Sequence, residues 1–80
     1  MSKPKVLSGQ DVVRIFEHFE FSVFSQKGSH IKMRRESDGS RQTLTIPNHK
    51  ELDRGTVSSL FRQASAYISQ AELRPHFFND

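Results

Sequence analysis

Apolar residues recur at helical spacing near both ends of the chain. The first set has the i, i+3, i+4, i+7 spacing of one helix face and consists of Val12, Ile15, Phe16 and Phe19. In front of it, Ser8 and Asp11 provide the serine and the acidic residue of a capping box. This pattern predicts a helix from about Gly9 to Phe19.

A second apolar stripe predicts another helix towards the C-terminus. Its members are Val57, Leu60, Phe61, Ala64 and Ile68. The segment Ser69-Gln70-Ala71-Glu72 that follows can form another capping box, which predicts a short terminal helical turn.

Between the two helices the apolar period changes to two, which is typical of strands. Three segments have this character: residues 21–25, the alternation around Ile31 and Met33, and residues 43–46. Gly28 can take the positive φ of a tight turn after the first strand, and Asp38-Gly39 is a strong hairpin signal after the second. Pro47 ends the third strand. The sequence therefore predicts a single small α+β domain of order α-β-β-β-α, with a three-stranded antiparallel sheet, helices on one face and a short C-terminal helical appendage.

The turn fixes the register of the central hairpin. A two-residue turn at Asp38-Gly39 pairs positions whose numbers sum to 77. Two apolar pairs then share one face of the sheet, namely Ile31 with Ile46 and Met33 with Leu44. A slip of one residue would set each of these residues opposite a polar one. We therefore expect the helices to cover this apolar face.

The opposite, open face of the hairpin is polar and basic, and it carries His30, Lys32 and Arg34. His30 is opposite Pro47, so His49 leaves the third strand close to it. The register of the first strand stays open, because the turn after that strand can have two or three residues. One of its aromatic residues can lie on the open face, where it could stack on a base.

The composition limits the class of protein. Eighty residues make one small domain, for which we expect a flexible tail over residues 1–7 and the domain over residues 8–80. The absence of cysteine excludes a disulfide framework and a thiolate zinc site. No apolar run approaches the ~18 residues of a membrane span, and the start lacks the apolar stretch of a signal peptide. The cytoplasm is the expected location, without a membrane partner.

The net charge of +3 is weak evidence for an anionic partner, but the charge is concentrated in one window. Between residues 27 and 41, five cationic residues outnumber Glu36 and Asp38 by three, so this window alone accounts for the whole excess. The five are Lys27, Lys32, Arg34, Arg35 and Arg41.

Imidazole beside cations suits chemistry on a polyanion such as RNA. Cleavage of RNA needs a base for the ribose 2′-OH, an acid for the leaving 5′-oxygen and cations for the charge on phosphorus. Imidazole titrates near neutral pH, so His30 is the candidate base or acid, and Lys32 and Arg34 are candidate phosphate ligands. His49 could supply the remaining role. The acidic residues are scattered over turns and loops, so no metal site is expected.

Structural roles compete with these assignments. A histidine after a glycine turn is more often a polar strand residue than a catalyst, and a basic strand face often serves only to prevent aggregation. His49 can simply shape a turn or cap the next segment. Gly28 is a turn residue first, although it also lets a phosphate approach the backbone.

Short elements in a fixed order give the chain a resemblance to a known family. They are Gln26-Lys27-Gly28-Ser29-His30, Pro47-Asn48-His49 with Lys50-Glu51-Leu52, Gly55-Thr56 and Arg62-Gln63-Ala64. In these elements and their spacing the chain resembles HicA, the toxin of a bacterial type II toxin-antitoxin pair, over roughly residues 7 to 70.

The resemblance implies a fold like a double-stranded-RNA-binding domain and an mRNA-cleaving ribonuclease that inhibits translation until a HicB-type antitoxin covers it. It also implies that His30 is the catalytic histidine, a role that it does not extend to His49. No metal or small-molecule cofactor is expected. The expected RNA-binding residues are Lys27, Gly28, Ser29, Lys32, Arg34 and His49.

Two features depart from the pattern of the family. Many relatives have an aromatic residue shortly after the histidine, where this chain has Ile31-Lys32-Met33. Arg74-Pro75 is expected to break the C-terminal helix, which is unbroken in relatives.

Three hypotheses fit these residues. The first is a metal-independent endoribonuclease toxin with His30 as its single essential histidine. The second is a non-catalytic RNA-binding module that uses the same basic face for shape and phosphate recognition. The third is a protein-interaction domain whose open face binds an acidic partner.

Overall fold

A computed structural model describes residues 3–79, so Met1, Ser2 and Asp80 lie outside the described residues. The described residues therefore leave out the first two residues of the predicted tail and the last residue of the predicted domain. In chain order the elements are β1 (Lys3–Pro4), α1 (Gly9–His18), β2 (Ser22–Lys27), β3 (His30–Ser37), β4 (Ser40–Pro47), α2 (Arg54–Ala64), α3 (Gln70–Phe77) and β5 (Phe78–Asn79).

The predicted α+β class and α-β-β-β-α order are confirmed by α1, the β2-β3-β4 sheet and α2. This arrangement is consistent with a fold like a double-stranded-RNA-binding domain. Two elements are added to it: α3 is the appendage, and β1 pairs with β5 in a small second sheet. Within residues 3–79, every helix is too short or too polar to cross a membrane.

The central hairpin has the predicted register. Asp38 and Gly39 have φ angles of 51° and 77°, which are the positive values that a type I′ turn requires at both central residues. β3 and β4 then pair over their whole length with residue numbers that sum to 77. The four apolar residues of the predicted inner face are all buried, namely Ile31, Met33, Leu44 and Ile46. The helices therefore cover the apolar face, as predicted.

β2 pairs with β3 through a register that the sequence left open. Gly28 and Ser29 form a two-residue turn that sets Lys27 against His30, and Gly28 has the positive φ of 60° expected of it. The register shifts once, at Phe24, which is the extra residue of a β-bulge.

One apolar core lies between the inner face of the sheet and the helices. The ring of Phe16 in α1 packs on Phe77 of α3, with 5.8 Å between the ring centroids. Phe77 in turn packs on Phe61 of α2 at 5.9 Å. The three helices therefore meet through Phe77, which is fully buried.

All three helices begin at a capping side chain. At α1, the Ser8 side chain accepts the Asp11 N–H at 3.0 Å, and Asp11 accepts the Ser8 N–H at 2.9 Å, which completes the predicted capping box. Asp53 caps α2, and Ser69 caps α3 as expected. The Ser8 backbone N–H lowers the pKa of Asp11, and the Thr56 backbone N–H lowers the pKa of Asp53.

The expectation that Arg74-Pro75 breaks the C-terminal helix is wrong, since α3 continues through Pro75 to Phe77. Pro75 lies in the last turns of α3, where it removes the hydrogen bond to the Ala71 carbonyl. Ala71 is exposed, so water can satisfy that carbonyl. Leu73 and Phe77 are both fully buried and hold this helix on the core.

Residues 3–7 contact the domain through backbone hydrogen bonds and through the side chains of Lys5 and Leu7. The Lys5 N–H donates to the Phe77 carbonyl at 2.8 Å, and the Lys5 ammonium donates to the Pro75 carbonyl at 2.7 Å. Leu7 is buried, and its carbonyl accepts the Leu52 N–H at 2.8 Å. The predicted tail thus has attachments that its sequence did not indicate, while its flexibility stays a prediction.

A histidine of α3 lies against a histidine of α1. The ring centroid of His76 is 5.3 Å from that of His18 and 5.3 Å from that of Phe19. Partial burial lowers the pKa of His76 from its ordinary value of 6.5, and the charges of His18 and Lys5 lower it further. Asp11 and Arg14 line the same shallow pocket.

This contact predicts a loss of stability in acid. Because the pKa of His76 is lower in the folded chain, the unfolded chain binds more protons as the pH falls below about 6.5. The free energy of unfolding therefore decreases from that pH down to the lowered pKa of His76. Urea unfolding from about pH 7.5 to about pH 5 should show a smaller decrease for His76→Gln than for the wild type. The same pH dependence in both proteins would contradict this account.

Candidate functional site

His30 is the first residue of the central strand β3, and its side chain lies on the open face. It pairs with Lys27 on one side and Pro47 on the other. The Ser29 carbonyl accepts the Asn48 N–H at 2.6 Å, so the turn before His30 is tied to the loop after β4. The backbone around His30 is therefore held in place, while the residue is exposed to solvent.

A groove of about 480 Å³ lies between His30, the C-terminal part of the edge strand β4 and the side of α2 that runs from its cap to Gln63. We call it the His30 groove. The sheet contributes His30, Thr45 and Pro47, and the helix with its cap contributes Asp53, Gly55, Thr56, Ser59, Leu60 and Gln63. These residues line the groove with imidazole, hydroxyl, amide and carboxylate groups, so it can make hydrogen bonds to a polar ligand.

The His30 groove brings together elements that are far apart in the sequence. His30, Pro47, Gly55-Thr56 and Gln63 belong to four different elements of the resemblance, and the fold places a residue of each in one groove. A purely structural role for these elements does not require them to share an exposed surface.

Sequence analysis missed the contribution of α2 to this groove. Thr56, Ser59 and Gln63 lie at i, i+3 and i+7 and so share one face of the helix. The spacing of this polar stripe, next to the apolar stripe of the same helix, can be read from the sequence. Only the packing of α2 beside β4 shows that the stripe faces His30.

His49 is exposed in the loop after β4 and is not among the residues that line the groove. Its carbonyl accepts the Gly9 N–H at 2.9 Å. Gly9 packs so closely here that an added Cβ would collide with the Pro47 carbonyl oxygen. After the hydrogen bonds from Thr56, the charge of His49 also helps to lower the pKa of Asp53. His49 therefore lies near Asp53, a residue of the groove, but does not itself line the groove with His30.

The open face carries four of the five cations of the basic window. They are Lys27, Lys32, Arg34 and Arg41. Lys32 and Arg34 alternate with the buried residues of β3, whereas Lys27 and Arg41 pair with residues of β3 that lie on the open face. Within residues 3–79, none of the four has a carboxylate within ion-pair distance. The aromatic residue expected on this face is Phe24, whose ring centroid is 4.3 Å from the guanidinium carbon of Arg34. The face around His30 is therefore positively charged and carries an exposed ring.

The fifth cation, Arg35, is directed to the other side of the sheet. Its guanidinium donates to the Phe19 carbonyl and to the Tyr67 carbonyl, each at 2.8 Å, and to the Gln42 side chain at 2.7 Å. The guanidinium carbon is also 4.8 Å from the centroid of the Phe21 ring. Arg35 thus joins the hairpin to the chain after α1 and after α2, and its role is structural.

We expect Arg35→Lys to destabilise the fold, because one ammonium cannot replace three guanidinium hydrogen bonds in different directions. A lost hydrogen bond to a charged group costs about 1.5–3 kcal/mol, which sets the expected decrease in the free energy of unfolding. Arg41→Lys is the matched control on the same hairpin, since Arg41 is exposed and should change stability by less than about 0.5 kcal/mol. Equal urea midpoints for the two variants would contradict the structural role of Arg35.

Asp53 is the carboxylate that lines the His30 groove, and it already accepts the Thr56 N–H at 2.7 Å. In the part of the chain from residue 3 to residue 79, no three or more histidine, aspartate or glutamate side chains are grouped so that they could hold a metal ion. The groove therefore contains one imidazole, that of His30, and one carboxylate, that of the helix-capping residue Asp53, beside uncharged polar groups.

Fold and site together define a small α+β domain, like a double-stranded-RNA-binding domain, with an exposed histidine on a basic sheet face. The family model described as HicA toxin of bacterial toxin-antitoxin matches residues 9–66, well over half of the chain. The chain belongs to the HicA toxin family, which implies an antitoxin as its partner. Neither the curated proteins nor the solved structures gave a match.

Proposed function

We propose that this chain is an mRNA-cleaving endoribonuclease toxin that needs no metal ion and uses His30 as its catalytic residue. The observation that carries the proposal is the placement of His30. It is exposed in the groove where separate family elements meet, on a face whose cations have no carboxylate partner among residues 3–79. Such a face attracts a polyanion to the His30 imidazole, which can act as a general acid or base.

The reaction proposed is an internal transfer on the RNA backbone. The ribose 2′-oxygen attacks the adjacent phosphorus, the bond from phosphorus to the 5′-oxygen breaks, and a 2′,3′-cyclic phosphate and a 5′-hydroxyl are formed. His30 either takes the proton of the 2′-OH or gives a proton to the leaving 5′-oxygen. Lys32 and Arg34, two and four residues further along the same strand face, bind the RNA phosphates next to the cleaved bond.

The remaining RNA contacts are assigned to residues around His30. Lys27 is its pairing neighbour on β2, so its ammonium can bind an adjacent phosphate. The exposed Gly28-Ser29 turn lets the RNA backbone approach the protein backbone. His49 binds RNA from the loop beside the groove without taking part in the chemistry.

A HicB-type antitoxin is the proposed partner, and its mode of inhibition follows from the location of the site. A protein that lies across His30 and the cations of the open face would exclude RNA from the groove and neutralise the positive field. Both effects require only that the antitoxin cover the open face of the sheet.

A non-catalytic RNA-binding module is the second candidate function. It is favoured by the likeness of the fold to a double-stranded-RNA-binding domain and by the basic face, which could bind phosphates without chemistry.

The test is to incubate the purified chain with a defined single-stranded mRNA in the presence of EDTA. The proposal predicts that fragments accumulate and that a cognate HicB-type protein stops their formation. A retarded RNA band with no fragments would favour the binding module. Fragments that disappear in EDTA would contradict the metal-independent mechanism.

A further inference from the structure

Phe24 is an exposed aromatic ring on the face of the sheet that carries His30. It is 42% exposed, and its ring centroid is 4.3 Å from the guanidinium carbon of Arg34. A phenylalanine that served only the core would be buried like Phe16 or Phe21. This ring makes no contribution to the core cluster.

The β-bulge of β2 gives Phe24 its position. Val23 pairs with Met33 and Ser25 pairs with Lys32, so Phe24 is the extra residue between two consecutive pairs. Bulges redirect side chains and are frequent beside functional sites. This one leaves the Phe24 ring beside Arg34 instead of opposite a residue of β3.

The Phe24 ring lies at one end of a row of side chains on the open face that can contact the bases and phosphates of single-stranded RNA. His30, Lys32 and Arg34 alternate on one face of β3, so the row from His30 to the Phe24–Arg34 pair spans four residues, or about 13 Å. A single strand presents unstacked bases and phosphates over such a distance, whereas the bases of a duplex are already stacked. An aromatic ring supplies the surface for a base, and cations next to it bind the phosphates.

We propose that Phe24 is a base-stacking residue for single-stranded RNA, with Arg34 and Lys32 on the phosphates between the stacked base and His30. This inference rests on the proposed function and deepens it, because it assigns a binding site for one nucleotide a short distance from the cleaved bond. The guanidinium of Arg34 keeps its N–H donors in its own plane while it lies over the ring, so the two side chains can bind a base and a phosphate together.

The test compares Phe24→Leu with Phe24→Tyr in the full chain. Leucine keeps apolar bulk but has no π face, whereas tyrosine keeps the ring. Loss of one stacked base typically lowers affinity about tenfold to a hundredfold. Val23→Ala is the matched control, since Val23 is 46% exposed on the same strand but pairs on the inner side.

The ligand is a short single-stranded RNA with 2′-O-methyl groups, which cannot be cleaved through its 2′-oxygen. Its affinity is measured by fluorescence anisotropy, and urea unfolding verifies that each variant is folded. We expect Phe24→Leu to bind about tenfold or more weakly than the wild type, and Phe24→Tyr and Val23→Ala to bind as the wild type does. A strand with abasic sites should bind wild type and Phe24→Leu equally.

Equal affinity of Phe24→Leu and Phe24→Tyr for the intact strand would overturn the stacking role, even if the wild type cleaves RNA. A preference of all variants for double-stranded RNA would also overturn it. Failure of the proposed function has a different signature, because it leaves the wild type without cleavage of unmodified RNA.

Discussion

His30→Ala is expected to abolish RNA cleavage while the fold and most of the RNA affinity persist. Loss of a positioned general acid or base lowers the rate about 10²–10⁴-fold. His30 is exposed, so its truncation should change the free energy of unfolding by less than about 0.5 kcal/mol. The affinity should decrease only slightly, because the cations of the open face remain.

Single-turnover cleavage at saturating RNA measures this effect on the chemical step. His49→Asn is the discriminating control, since His49 is also exposed and belongs to the family elements but does not line the groove. We expect His49→Asn to cleave at the wild-type rate once RNA is saturating, with weaker binding. A His30→Ala variant that keeps the wild-type rate would exclude His30 from the chemistry. Equal inactivity of both variants would show that His49 also takes part.

Phe77→Ala is expected to have the largest effect on stability. Phe77 is fully buried and contacts the rings of Phe16 and Phe61, so its truncation leaves a cavity where three helices meet. Such a change costs about 3–5 kcal/mol. A domain of this length has a total stability of about 4–12 kcal/mol, so the variant should lose a large fraction of its free energy of unfolding.

Urea and thermal unfolding of Phe77→Ala, with Val6→Ala as the control, measure this cost. Val6 is 77% exposed, and its truncation should change stability by less than about 0.5 kcal/mol. Phe77 lies beyond residue 66, where the match to the family model ends. A small effect of Phe77→Ala would contradict the role of Phe77 as the side chain through which the three helices pack.

The central hairpin was predictable because two independent signals agreed. The Asp38-Gly39 turn fixes a register, and the alternation of Ile31 and Met33 with charged residues requires the same register. The structure has this pairing over the whole of β3 and β4. The position of His30 on the open face followed from these two signals alone.

The register of β2 and the structure near the ends of the chain were less predictable, because they depend on contacts between residues distant in sequence. The bulge at Phe24 adds one residue without a turn signal, so the alternation in residues 21–25 could not give the register of β2. Arg35 counted as one more cation of the basic window, and only its hydrogen bonds to the distant carbonyls of Phe19 and Tyr67 show its structural role. Pro75 normally ends a helix, and here the burial of Leu73 and Phe77 keeps α3 continuous.

Only the side of the groove that the sheet provides was predicted from the sequence. His30, Lys32 and Arg34 lie on one strand of the central hairpin, and the register set by the Asp38-Gly39 turn predicted their position on the open face. The opposite wall of the groove comes from α2, and its residues Thr56, Ser59 and Gln63 were not predicted to lie beside His30. Their side chains face His30 because α2 packs beside the edge strand β4, which is a tertiary contact that no local pattern specifies.

The most direct test of the account is the chemistry of the RNA ends that the wild-type chain produces in EDTA, with His30→Ala assayed in parallel. Attack by the ribose 2′-oxygen with His30 as the proton-transfer group predicts 2′,3′-cyclic phosphate and 5′-hydroxyl ends from the wild type and no fragments from the variant. Ends with a 3′-hydroxyl, or the same fragments from His30→Ala, would contradict it.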